Sequence, residues 1–188
     1  PLPSNNGRNS DGGKIELTSS SGFIEVGNVR SFTESSLGQA GQVIINALNN
    51  ITTRDISTTS IDGPFVDFMG DIDITSELGT VDTTGGTLNS STQGGQAGDV
   101  RLRAGTDILT GDIFSRSVTG ESDDIFLVSE NGNIDTSQGT LTASTDSGTA
   151  GDIILEANSG KIIVDEIFSI STTGQSGSIE LESNVNAA

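Results

Sequence analysis

Four aspartates, Asp71, Asp99, Asp124 and Asp152, recur at spacings of 28, 25 and 28 residues. Carboxylates in such a file can ligate a cation, and an adjacent pair such as Asp123-Asp124 can serve as acid and base on a glycosidic bond. The rest of the chain narrows these options. It contains no His and no Cys, which removes His-based catalysis, thiolate chemistry, disulfides and most zinc sites. The His and Arg/Lys companions of a polysaccharide hydrolase are missing beside Asp123-Asp124. The nearest basic residues, Arg101 and Arg103, flank Leu102 and make at most a sparse cluster with Asp73 and Asp99. No enzymatic activity is expected. Calcium takes 6–8 oxygen ligands, and a single file of carboxylates does not enclose an ion. The Gly-Gly-x-Gly-x-Asp nonapeptide is also absent. No dedicated metal site and no cofactor are expected, with Asp71, Asp99, Asp124 and Asp152 as the weak metal candidates. Like charges in file repel, so the aspartates must splay into solvent, accept backbone N–H bonds at a corner, or share a cation.

A second feature is an interruption. Between Ser60 and Gly70 the chain reads Ile61-Asp62-Gly63-Pro64-Phe65-Val66-Asp67-Phe68-Met69, where equivalent stretches hold fewer and mostly polar residues. Insertions in repeat proteins map to loops on one face, often the binding face. Phe65, Val66, Phe68 and Met69 are therefore the partner-binding candidates; the competing expectation is a local apolar cover over the side of the molecule.

The elements that position these residues follow from a repeat. A Gly or Asp, a polar residue and then aliphatic-x-aliphatic begins at 13, 41, 70, 98, 123, 151 and 177. Period-two patterning within each unit predicts three short strands. The first carries Ile15, Val43, Ile72, Val100, Ile125, Ile153 and Ile179, then Leu17, Ile45, Ile74, Leu102, Leu127, Leu155 and Leu181. A column of Ser or Ala follows two residues later. The second strand opens with Ile24, Ile51, Val81, Ile108, Ile134 and Ile162; the third opens with Val29, Ile56, Leu88, Ile113, Leu141 and Ile167. Small residues and then hydroxyls close the third strand. Residues 76–83 match residues 129–136, so two kinds of unit alternate across the second half of the chain. No unit can bury its apolar face alone, and stacking units at about 4.8 Å makes the columns continuous. Roughly 30 inward aliphatics, each contributing about 1.5–3 kcal/mol when buried, answer the disorder that a low hydrophobic content would otherwise suggest. The expected fold is all-β: a right-handed parallel β-helix (β-solenoid) of about 6.5 coils of 25–29 residues. It spans residues 11–183 as one domain, with polar tails at 1–10 and 184–188.

Composition limits partners. Eight basic residues against 26 acidic ones, a net charge of −18, oppose binding to nucleic acid and to an anionic membrane surface. No apolar run approaches the ~20 residues that span a bilayer. The Thr53, Thr83, Thr110 and Thr136 column has inward parity, and its outward neighbours form no regular array, which argues against an ice-binding face. Phe114 and Phe168 point outward two coils apart and do not touch. The chain starts Pro1-Leu2-Pro3-Ser4 without Met and reads as a segment of a longer protein.

The segments Gly-Asp-Ile-x-Leu, Gly-Asn-Ile-Asp-Thr-Ser at 132–137 and Gly-Thr-Leu-Thr-Ala-Ser-Thr at 139–145 resemble filamentous-haemagglutinin-type exoproteins of two-partner secretion. The resemblance covers roughly residues 11–183. It implies a central β-helical shaft, export through an outer-membrane secretion partner, and a secreted or cell-surface location in Gram-negative bacteria, cyanobacteria included. It also implies an adhesin's contacts with a host or cell-surface glycan or protein. No segment matches the secretion domain found at the amino end of such proteins. The expected function is a structural shaft segment of a secreted, surface-associated exoprotein. The rival is a carbohydrate-binding or carbohydrate-cleaving β-helix, which would need a groove with clustered carboxylates and aromatic or basic residues. Unpaired strand edges at 13–17 and 177–183 leave the chain open to end-to-end self-association.

Overall fold

The computed structural model describes residues 11–34, 38–60 and 70–184. All regular structure in them is β, and every strand pairing is parallel. The first strands of successive coils are β1 (Ile15–Ser19), β4 (Val43–Ala47), β7 (Ile72–Ser76), β10 (Val100–Ala104), β13 (Ile125–Ser129), β15 (Ile153–Ala157) and β17 (Ile179–Ser183); they stack in that order into one sheet. The second strands are β2 (Ile24–Glu25), β5 (Ile51–Thr52), β8 (Val81–Thr83) and β11 (Ile108–Thr110). The third are β3 (Val29–Thr33), β6 (Ile56–Ser60), β9 (Leu88–Thr92) and β12 (Ile113–Ser117). In the last two complete coils the second and third strands run together as β14 (Ile134–Thr145) and β16 (Ile162–Ser171). The separation into three strands thus gives way there to two longer ones. The chain is a parallel β-solenoid of about six turns.

The register is the one the apolar columns require. Ile15 pairs Val43, Val43 pairs Ile72, Val100 pairs Ile72 and Ile125, and Ile153 pairs Ile125 and Ile179. A slip of one residue would turn every aliphatic side chain outward. Strands in the middle coils therefore alternate buried and part-exposed residues. Ile45, Ile72, Leu102, Ile125, Leu127 and Ile134 are wholly buried. The last strand, β17, lacks a partner on its outer side among the described residues, and Ile179 and Leu181 there are exposed.

The hydroxyl columns tie off the corners. Ser76 Oγ donates to Asn49 O (2.8 Å) and accepts Gly79 N–H (3.0 Å); Ser129 does the same with Thr106 O and Gly132 N. At the end of the third strand, Ser117, Thr145 and Ser171 donate to Gly95, Gly120 and Gly148 carbonyls one coil away. Buried hydroxyls cost little when they are bonded. The Thr column of the second strands is different, because Thr110 Oγ1 and Thr136 Oγ1 are buried without a hydrogen-bond partner. The same column carries Val at 26 and 164. Thr110→Val and Thr136→Val each remove an unbonded hydroxyl at constant shape and are expected to stabilise by about 1 kcal/mol. A urea titration checks this; a lowered midpoint would show that the hydroxyls are satisfied after all.

The alternation of two coil types has a local cause. Val81 to Leu88 and Ile134 to Leu141 hold two more residues than Ile51 to Ile56 or Ile108 to Ile113. The longer connectors fold as aspartate turns. Asp82 Oδ1 accepts Thr84 N–H (3.0 Å) and its hydroxyl, and Asp135 Oδ1 accepts Ser137 N–H (3.0 Å) and its hydroxyl. The pairing of β14 with β16 shifts register across this stretch, between Thr136 and Thr140.

Candidate functional site

The four recurrent aspartates sit at the corner that opens each first strand. Their fate is the second of the three alternatives. Asp71 Oδ1 accepts Asp99 N–H (3.0 Å), Asp99 Oδ1 accepts Asp124 N–H (2.9 Å), Asp124 Oδ1 accepts Asp152 N–H (2.7 Å), and Asp152 Oδ1 accepts Ser178 N–H (2.6 Å). Each carboxylate thus caps a backbone donor that the turn would leave unpaired. A second oxygen is left for other partners. Arg101, on β10, bridges two adjacent coils: its guanidinium contacts Asp99 Oδ2 directly and lies 3.7 Å from Asp71 Oδ2 and 3.6 Å from Asp73 Oδ1. Asp73 also accepts Gln42 Nε2 (2.8 Å).

The sparse cluster of Arg101, Asp73 and Asp99 is therefore real, with Asp71 added. Arg103 turns away to Glu130. Burial pushes the Asp71 carboxyl up to about 6, against the pull of Arg101, and Asp73 adds to the rise.

One coil further on, Asp99, Asp123 and Asp124 each place a carboxylate oxygen within 4.8 Å of the others. Asp123 is pushed up to about 6, chiefly by burial and next by the charge of Asp124, while a hydrogen bond from Gln96 Nε2 (3.0 Å) lowers it. Asp123 and Asp124 border a cleft of about 360 Å³ that also meets Glu121, Asp152 and Ser178. No aromatic or basic residue lines it.

Asp99, Asp123 and Asp124 could together contact a divalent ion. The oxygens left over are few, because Asp99 serves Asp124 N–H and Arg101, and Asp124 serves Asp152 N–H. Of the four aspartates singled out by spacing, only Asp99 and Asp124 join this group; Asp71 and Asp152 remain in the ladder. Calcium and magnesium at equal ionic strength are expected to shift the melting temperature equally, and Asp99→Asn should not alter that. A calcium-specific rise lost in Asp99→Asn would reveal a built site.

The insertion residues Phe65, Val66, Phe68 and Met69 lie outside the described residues. Spacing also missed two further corner ladders. Asn50 Oδ1 accepts Thr80 N–H, Asp107 accepts Asn133 N–H, and Asn133 accepts Lys161 N–H. Asp55 accepts Thr87 N–H and Asp112 accepts Thr140 N–H. The signal for both was a column of Asp, Asn and Thr just before an aliphatic position.

Fold and corner ladders together define a parallel β-solenoid repeat protein. Comparison with protein-family models, curated proteins and solved structures returned no match.

Proposed function

We propose that this chain is a structural shaft segment of a secreted, surface-associated exoprotein of the filamentous-haemagglutinin type. Its parent would leave the cell through an outer-membrane secretion partner and meet a host or cell-surface glycan or protein. The observation that carries the shaft reading is the aspartate ladder from Asp71 to Ser178, in which side chains with chemical potential hold one coil to the next. Such a molecule works by length and stiffness. At about 4.8 Å per coil the described turns extend roughly 30 Å.

A two-coil deletion tests this. Removal of residues 98–150 joins Ala97 to Gly151 and keeps the alternation of coil types. The shortened chain should fold, and its maximum dimension in solution scattering should fall by about 10 Å. Loss of folding would mean that the coils are not interchangeable units of a shaft. Release of sugar from polysaccharides by the intact chain would also sink the reading. The open edge of β17 leads to a companion expectation, end-to-end association of the isolated chain. Sedimentation as a clean monomer across a wide concentration range would refute it.

A further inference from the structure

The outward face of the third strands carries two side-by-side columns. In register, one reads Arg30, Ser57, Asn89, Phe114, Thr142, Phe168; the other reads Phe32, Thr59, Ser91, Arg116, Ser144, Ile170. Bulky rows stand at the first, fourth and sixth coils, and small polar rows lie between them. The result is two troughs crossing the sheet. The first lies between rows three coils apart, about 14 Å, and the second between rows two coils apart, about 10 Å.

The first trough runs as two hollows of about 340 and 560 Å³ that share Phe32 and Thr59. The second is a hollow of about 570 Å³ walled by Phe114 and Phe168 over Thr142 and Ser144. Phe32 is 57% exposed and Phe168 39%. Arg116 lies over the Phe114 ring at 4.1 Å.

The two troughs contain the same chemical set. Each has a phenyl wall, an arginine (Arg30 in the first, Arg116 in both) and a floor of hydroxyls. Each also has a corner aspartate: Asp55 or Asp112 spends one oxygen on a backbone N–H of the next coil and lines the trough. A ring face takes C–H surface, an arginine donates hydrogen bonds, and a carboxylate accepts them. A ligand that satisfies all three is polyhydroxylated, has an apolar ring face and carries no charge. Asp55, Asp112 and the net charge of −18 weigh against a polyanion. The polar floor weighs against the apolar centre of a protein interface.

We propose that these troughs bind a neutral polysaccharide, each seating part of the chain against its phenyl wall. No bond is broken: the carboxylate and arginine of each trough serve as hydrogen-bond partners only. This binding is independent of the shaft role and adds a lateral adhesive surface to it.

Native-gel affinity electrophoresis of the intact chain tests the proposal, with soluble hydroxyethyl cellulose, xylan, galactomannan or starch in the gel and polygalacturonate as the charged counterpart. The chain should be retarded by at least one neutral polymer. Phe32→Ala with Phe114→Ala should weaken that retardation at least tenfold, and Arg116→Ala should weaken it as well. Phe126→Ala, an outward phenylalanine on the first-strand sheet, should leave it unchanged, as should the melting temperature of all these surface variants. Retardation by no neutral polymer overturns the proposal, and so does retardation by polygalacturonate alone. Self-association in sedimentation that the double Phe variant abolishes, without any retardation, would instead make this face an interface between copies of the chain.

Discussion

Gly148→Ala is expected to lower stability by about 3 kcal/mol, among the largest effects of any single methyl added to this chain. Gly148 has φ +133°, a region that L residues enter only at a cost of about 1–3 kcal/mol. Its added methyl would also overlap the carbonyl oxygen of Gly120 in the coil beneath. That oxygen cannot retreat, because it accepts the Thr145 hydroxyl (2.6 Å) and belongs to a corner where Gly95, Gly120, Gly148 and Gly174 stack. Coil spacing is set by the strand ladders on either side, so backbone displacement there breaks hydrogen bonds. Gly27→Ala is the control. Its methyl meets nothing within 4 Å and its φ is ordinary, so it should be neutral or slightly stabilising through the unfolded chain. Urea midpoints of the two variants decide the matter; equal midpoints would mean that the corner is not close-packed.

Acidification from pH 8 to pH 5 should stabilise the protein, the reverse of the behaviour of most salt-bridged aspartates. Asp71 and Asp123 both stand near pKa 6 in the folded chain, above the ordinary aspartate value of 3.8. The folded state therefore holds their protons more tightly than the unfolded state does. Their contribution is fully present below about pH 4 and is lost as pH rises through about 6. The contribution of Asp135 runs the other way, because the Ser137 hydroxyl and N–H draw it below the usual carboxylate range; it is lost only at lower pH, outside this window. Asp71→Asn and Asp123→Asn should each flatten the profile between pH 7 and pH 5.

Arg101→Leu should steepen the same profile. It strips the counter-charge from Asp71 and Asp99, whose side chains are 3% and 12% exposed. Leaving a buried carboxylate unpaired costs up to 3–5 kcal/mol; here, with Arg101 itself 45% exposed, about 2–3 kcal/mol is expected at pH 8, shrinking toward pH 5. Equal losses at both pH values would show that Arg101 acts through packing alone.

Much of this molecule was legible as columns. The aliphatic positions of each strand, the Ser/Ala position that ends the first strand and the hydroxyls closing the third strand all face inward where period-two parity puts them. The reason is that every coil solves the same problem against the same neighbour. An inward Ile must lie on an inward Ile, so the repeat fixes register as well as fold. The aspartate column was visible for the same reason, and backbone capping was among its foreseen outcomes.

Other features were hidden because they depend on residues far apart in sequence. Arg101 joins Asp71 to Asp99 only because stacking sets its strand beside the coil that carries Asp71. Asp123 joins Asp99 through the corner, although in sequence its evident partner is Asp124. Phe114 and Phe168 looked like scattered outward rings, and Phe32 drew no notice; stacking turned the small residues between the three into trough floors.

The sequence by itself determined that this chain stacks as a parallel solenoid, which side chains point in, and that titratable groups of the His and Cys kind take no part. Those properties are periodic, and periodicity is written locally. The tertiary structure decided what the outward residues become. It commits the aspartates to the backbone of the next coil, raises two of them by burial, and sets arginine and phenylalanine rows apart by whole coils. Burial and spacing between coils are properties of the stack, and no single coil carries them.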